Sequence, residues 1–156
     1  MLILGFDPGT TLIGFGLIVK DCQQLSAVDY GCINTTACAP QDRLRQLEKQ
    51  VSDLIAKHQP DFISIEKLFF SKNVKTAMSV SEARGVIALC AQKSQSSIFE
   101  YTPPQIKQAV VGYGQATKKQ VQQMVKAILK LNEVPTPDDT ADALAAAICC
   151  AHSERF

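Results

Sequence analysis

The stretch Leu2-Ile3-Leu4-Gly5-Phe6-Asp7-Pro8-Gly9-Thr10-Thr11 decides how the rest of the chain is read. A near-continuous apolar run, of the kind a strand buried on both faces requires, ends in an aspartate and a proline–glycine turn. Pro8 presets φ and Gly9 tolerates a positive one, so the chain reverses directly after Asp7. Leu12 to Val19 then reads as the returning strand of a hairpin. Asp7 is thereby placed at the carboxyl end of a buried strand, where ligands and metals bind in open sheets. An aspartate that only caps its own turn has the same signature. The choice rests on whether other carboxylates converge on it.

Working outward, Leu2–Phe6, Leu12–Val19 and Leu25–Asn34 read as three strands, with a Lys20-Asp21 turn between the second and third. Pro40 opens a helix running to Lys57, in which Leu44, Leu47, Val51, Leu54 and Ile55 recur at helical spacing. Phe62–Glu66 is a short buried-type strand that also ends in a carboxylate, and Lys67–Asn73 is a loop holding Phe69 and Phe70. Lys75–Lys93 reads as a helix apolar or small on most sides, the pattern of an element buried in a core or against a partner. Dimerisation is expected through it, so that Val86→Asp or Ile87→Asp shifts the chain toward monomer or unfolds it. Ser97–Tyr101 is a fifth strand, and Pro103-Pro104 starts a helix that carries Lys107 and stops at Gly112-Tyr113-Gly114. Thr117 caps an amphipathic helix, and a last helix starts at Thr136-Pro137 and runs through Ile148. The layout is α/β: a hairpin-led mixed five-stranded sheet with helices on its faces, in a single domain over residues 1–156.

Composition narrows the function classes. No apolar run is long enough to cross a bilayer, and the N-terminus lacks the basic region of a signal peptide, so a cytoplasmic location is expected. Six cysteines show no C-x-x-C spacing, so the zinc-ribbon pattern is missing; several sit in apolar runs, as reduced buried thiols do. The net charge of +1 conceals an asymmetry: residues 1–66 carry −3, residues 67–130 carry +8 and residues 131–156 carry −4. A cationic middle of this strength points to a polyanionic partner.

Four acids have converging placements. Asp7 and Glu66 each end an apolar strand, so they lie side by side if those strands are parallel neighbours. Asp139 and Asp142 are three apart on the last helix and share a face. A Thr136-x-x-Asp139 capping box with Pro137 at the first helical position would account for Asp138 and Asp139 without any chemistry. It does not account for Asp142, which lies a turn further in, among alanines, where an unpaired carboxylate is costly. The chemistry that needs such a cluster is metal-assisted phosphoryl transfer, because Mg²⁺ prefers carboxylate oxygens and completes its shell with water and phosphate.

With Ile3-Leu4-Gly5-Phe6-Asp7-Pro8-Gly9, Ile65-Glu66-Lys67-Leu68-Phe69-Phe70-Ser71-Lys72-Asn73 and Asp139-Thr140-Ala141-Asp142-Ala143-Leu144-Ala145 in place, the chain resembles the RuvC-type Holliday junction resolvases over essentially its whole length. The resemblance implies an RNase H-like fold and a homodimer that nicks two opposed strands of a four-way DNA junction. It further implies a pair of Mg²⁺ ions per site, with Mn²⁺ able to substitute, and action beside the branch-migration proteins RuvA and RuvB. The family's catalytic, metal-holding acids fall on Asp7, Glu66, Asp139 and Asp142. Its DNA-contacting positions fall on Phe69 as a stacking aromatic and on Lys107, Lys118 and Lys119, with the active member of the last pair left open. Asp138 is expected mainly to complement the helix dipole, so that its loss costs little activity. Two rivals remain at this stage: a single-domain relative of actin-like ATPases and sugar kinases, whose phosphate loop the Asp-x-Gly-Thr-Thr turn resembles, and a junction-binding module that does not cut.

Overall fold

The protein is described by a computed structural model covering residues 1–68 and 74–154, with side chains from residue 77 onward in the helix that begins at Val74. Five strands form one sheet: β1 (Leu2–Asp7), β2 (Leu12–Asp21), β3 (Gln24–Asn34), β4 (Phe62–Glu66) and β5 (Ser97–Tyr101), in the order β3-β2-β1-β4-β5. The β1–β2 and β2–β3 pairs are antiparallel, whereas β1–β4 and β4–β5 are parallel. β1 therefore sits in the middle, flanked by its hairpin partner and by the strand that ends at Glu66.

A 3-10 turn at Pro40–Asp42 leads into α1 (Arg43–His58), and the remaining helices are α2 (Val74–Lys93), α3 (Pro103–Val111), α4 (Lys118–Ile128) and α5 (Asp138–Ser153). They cover both faces. Leu4, Phe6, Ile13 and Leu17 pack with Leu47, Val51 and Ile55 of α1 and with Ala83, Ile87 and Cys90 of α2. On the other face Ile3 and Ile18 pack with α3, α4 and α5. The period of two along a strand sorts the site residues as well. Ile3, Gly5 and Asp7 share the α5 face of β1, and Ser64 and Glu66 share the α5 face of β4. Buried Ser64 Oγ donates to the Ala146 carbonyl at 2.8 Å, tying β4 to α5.

α5 lies unusually close to the sheet, and glycines make room for it. Gly5 pairs directly with Gly16 across β1 and β2. A Cβ on Gly5 would lie 2.2 Å from the Ala143 carbonyl oxygen, and one on Gly14 would lie 2.0 Å from the Asp139 carbonyl oxygen. The helix answers with Ala143, Ala146 and Ala147, all buried. Small residues on both sides thus set the height of α5 and of the acids it carries.

Several sequence expectations are corrected. The β2–β3 turn falls at Cys22-Gln23 rather than Lys20-Asp21, because the ladder runs on to Asp21↔Gln24, and Cys22 takes a φ of 51°. α5 begins at Asp138 with Pro137 as N-cap, and no side chain caps it, so the Thr136 capping box does not form. The Thr140 amide bonds the Pro137 carbonyl at 3.0 Å, which starts the helix one residue later than the Thr-Pro pair suggests. α2 is not buried all round. Ile87 is 0% exposed within the chain's own core, so it cannot lie in a contact between two copies, whereas Met78 and Leu89 are 69% and 49% exposed on the opposite side. Phe69 and Phe70 lie outside the described residues.

Candidate active site

Parallel pairing of β1 with β4 in the register Phe6↔Ile65 makes Asp7 and Glu66 the next rung, at the carboxyl ends of both strands. Adjacent strands are about 4.8 Å apart, so two carboxylates of the same facing are held side by side. α5 crosses above them, with Asp139 and Asp142 in its first two turns. The expected gathering of these four acids at one sheet edge is present.

The electrostatics show what holding them there costs. Burial, and then the negative charges of Glu66, Asp142 and Asp139, push the Asp7 carboxyl up to about 8. Burial and Asp142 push Glu66 up to about 7, against the pull of Lys107 and Lys118. Burial also raises Asp142, although the Lys118 ammonium bonded to it works the other way. Carboxylates this crowded and this dry are stable as anions only with a cation among them.

Part of that cation is supplied by the chain. Lys118 Nζ stands 3.0 Å from Asp142 Oδ2 and 3.4 Å from Asp138 Oδ2. Its position follows from Thr117, whose side chain accepts from the Gln120 amide while Gln120 bonds back, so α4 starts at Lys118. A cleft of about 170 Å³ opens here, lined by Glu66, Lys107, Lys118 and Asp142 with Ile106 and Val121 behind them. A larger cavity of about 640 Å³ lies at the far end of the sheet beside Lys20, Cys22 and His152, away from every converging carboxylate. Of the converging carboxylates, Glu66 and Asp142 border the smaller one. Lys119 is exposed and does not line the cleft.

The donor set is hard oxygen throughout, which suits Mg²⁺ or Mn²⁺ and not a thiolate-seeking ion. Among the described residues no three acid, histidine or cysteine side chains close on one point as a finished metal shell. The acids instead converge loosely, with an ammonium on one of them. They fit a site that tightens when a divalent cation enters, since that cation relieves the repulsion raising Asp7 and Glu66.

Asp138 was given too small a part from sequence, and Cys32 and Gly14 were not singled out. Asp138 is a partner of Lys118 and accepts from Gln122 Nε2 at 2.8 Å, so it does more than complement the helix dipole. Cys32 Sγ lies 3.2 Å from the hydroxyl of fully buried Thr140, tying β3 to the first turn of α5. Gly14 lets that turn touch β2. Only the glycines left a signal, alternating as Gly14 and Gly16 opposite Gly5 in a chain whose last helix is rich in alanine.

Known proteins resemble the chain along nearly its whole length. The family model for crossover junction endodeoxyribonuclease RuvC matches residues 3–150. The RuvC of Alkaliphilus metalliredigens is 50% identical over 157 residues, spanning 100% of this chain and 96% of that protein. The RuvC of Ruminiclostridium cellulolyticum is 54% identical, spanning 100% and 95%. Among solved structures, Thermus thermophilus RuvC in complex with a Holliday junction substrate superposes with a TM-score of 0.91 at 32% identity, over 98% of this chain and 94% of that one. The fowlpox virus resolvase, at 16% identity and a TM-score of 0.65, shares the fold.

Proposed function

The chain belongs to the RuvC family of crossover junction endodeoxyribonucleases, and from that premise we propose how its own residues cut a four-way DNA junction. Its function is that of a Holliday junction resolvase; the ATPase reading and the non-cutting reading are set aside. Asp7, Glu66, Asp139 and Asp142 would hold two Mg²⁺ ions, for which Mn²⁺ could substitute. The observation that carries this reading is the Asp7–Glu66 rung beneath Asp142, with Asp7 raised by burial and by Glu66, Asp142 and Asp139, and Glu66 raised by burial and by Asp142. When bound, the metal neutralises charge on the scissile phosphate and acidifies the attacking water.

The residues divide the remaining work. Asp7 and Glu66, fixed by a parallel ladder, form the rigid floor of the site. Asp139 and Asp142 close it from the α5 side. Lys107 and Lys118, which line the cleft together with Glu66 and Asp142, meet a phosphate entering between α3 and α4. Lys119, exposed on the first turn of α4, adds a backbone contact outside the cleft. Phe69 stacks on a base at the junction centre. The test is incubation with a mobile four-way junction with and without Mg²⁺ and mapping of the nicks. Paired, opposed nicks only with metal are expected, and Phe69→Ala is expected to lose more on a closed junction than on a pre-opened one. Cutting without metal, or of plain duplex equally well, counts against the reading.

We further propose that one nuclease domain acts as a homodimer in the cytoplasm with RuvA and RuvB, since a two-fold junction calls for two symmetry-related sites. Met78, Gly85 and Leu89 line one exposed face of α2, and nothing lies within 4 Å of a Cβ at Gly85. That face replaces Ile87 as the expected contact. Met78→Asp with Leu89→Asp is expected to halve the mass seen by sedimentation, with stability changed by no more than about 0.5 kcal/mol, as for exposed sites. A dimer undiminished in this variant places the contact elsewhere.

A further inference from the structure

Asp138 is held in a way that its place on the helix does not require. At the first position of α5 a carboxylate is already favoured by the helix dipole. Yet Gln122 Nε2 donates to its Oδ1 at 2.8 Å, and its Oδ2 faces the Lys118 ammonium at 3.4 Å. Lys118 and Gln122 are one turn apart on α4; Asp138 and Asp142 are one turn apart on α5. The two pairs interlock, because Lys118 also reaches Asp142 at 3.0 Å. Lys118 itself is at the wrong end of α4 for a cation, so the helix it belongs to does not keep it there.

The geometry points to Asp138 as a positioning residue that shares Lys118 with Asp142 and keeps the lysine at the mouth of the cleft when a cation takes Asp142. Gln122 fixes the orientation of that carboxylate, leaving one oxygen for the ammonium. Without Asp138 the ammonium has Asp142 as its sole acid partner in the clasp. Lys118 then competes harder with an incoming divalent ion, and once displaced it has no second anchor beside the substrate phosphate.

The inference rests on the reading of Asp142 as a metal-holding acid and of Lys118 as a cleft cation. Its test is a double-mutant cycle on the full-length protein with Asp138→Asn, Lys118→Met and both together. The first readout is the Mg²⁺ concentration that half-maximally shifts the thermal unfolding temperature, which needs no turnover. Asp138→Asn is expected to raise that midpoint roughly two- to fivefold, the range of an exposed ion pair, and to lower the single-turnover nicking rate with little change in junction affinity. In the Lys118→Met background the added effect of Asp138→Asn should vanish, and Asp138→Glu should restore the parent midpoint. An equal shift in both backgrounds means that Asp138 acts only as a distant charge, and this overturns the proposal, as does no shift in either. If Asp142→Asn and Lys118→Met also leave the Mg²⁺ midpoint unmoved, the reading of the site itself fails.

Discussion

Asp7→Asn is expected to abolish nicking and, in the same protein, to raise the stability of the metal-free fold at pH 8. Loss of a carboxylate from the floor of the site should remove about 4 kcal/mol of transition-state stabilisation, roughly a thousandfold in rate. Junction binding should survive, because affinity for a polyanion comes from lysines on phosphates. The stability gain comes from the same crowding that makes the site useful. Asp7 ionises near 3.8 in the unfolded chain and about 8 in the folded one, where burial and three other carboxylates oppose its charge.

The sign follows from proton counting. Below pH 3.8 both states hold the Asp7 proton and the group contributes nothing to pH dependence. As pH rises toward 8 the unfolded chain gives up that proton while the folded chain keeps it, so the fold loses stability across this window. Glu66, raised from 4.5 to about 7, adds a loss of the same sign. Neutral asparagine removes the Asp7 share, on the order of 2–4 kcal/mol at pH 8. Thermal unfolding in EDTA at pH 5 and pH 8 measures it: the parent should fall between the two, and Asp7→Asn should fall less. A variant less stable than the parent at pH 8 would show that Asp7 is tied down by contacts unrelated to charge. Loss of junction binding along with nicking, in a folded variant, would remove Asp7 from the metal set.

How much of this was legible in the chain depends on the kind of signal. Asp7 and Glu66 could be read because each ends an apolar run, and a strand buried on both faces has no other reason to finish on a carboxylate. Asp142 could be read because a charge among alanines needs a partner. The start of α5 was misjudged, since a Thr-Pro pair before two aspartates satisfies the capping pattern whether or not the threonine bonds. The face of α2 could not be assigned for a different reason. Ala77, Gly85 and Ala88 count as apolar in a periodicity yet bury little, and only the large side chains, Ile87 inward and Met78 and Leu89 outward, separate core from surface. The Lys118–Asp138–Gln122 clasp had no signature at all, because it joins two helices whose relative placement no local pattern encodes.

Gly14→Ala is expected to slow nicking about a hundredfold in a protein that still folds, and it is the sharpest test of how α5 brings its acids to the sheet. Gly14 pairs with Asp7 across the hairpin, so it lies on the same rung as the strand-end carboxylate. A Cβ there would sit 2.0 Å from the Asp139 carbonyl oxygen and 2.5 Å from its carbonyl carbon. Those are backbone atoms and cannot swing away, so the first turn of α5 must lift. Overpacking of this size typically costs about 1–3 kcal/mol, and a shift near 1 Å in a catalytic group about a hundredfold in rate. The helix end has room to yield. Mid-helix it does not: at Gly5 a Cβ would meet the Ala143 carbonyl oxygen at 2.2 Å and the Ala147 amide nitrogen at 2.8 Å, so Gly5→Ala should damage folding first. Gly31→Ala is the control, since a Cβ there meets only the Phe15 ring edge at 3.3 Å, which a small side-chain movement relieves. Single-turnover nicking rates beside thermal unfolding temperatures for the three variants separate the effects. Gly14→Ala should keep most of its unfolding temperature and lose about two orders of magnitude in rate. A Gly14→Ala protein that nicks at the parent rate would mean that close contact between β2 and the first turn of α5 does not set the height of Asp139.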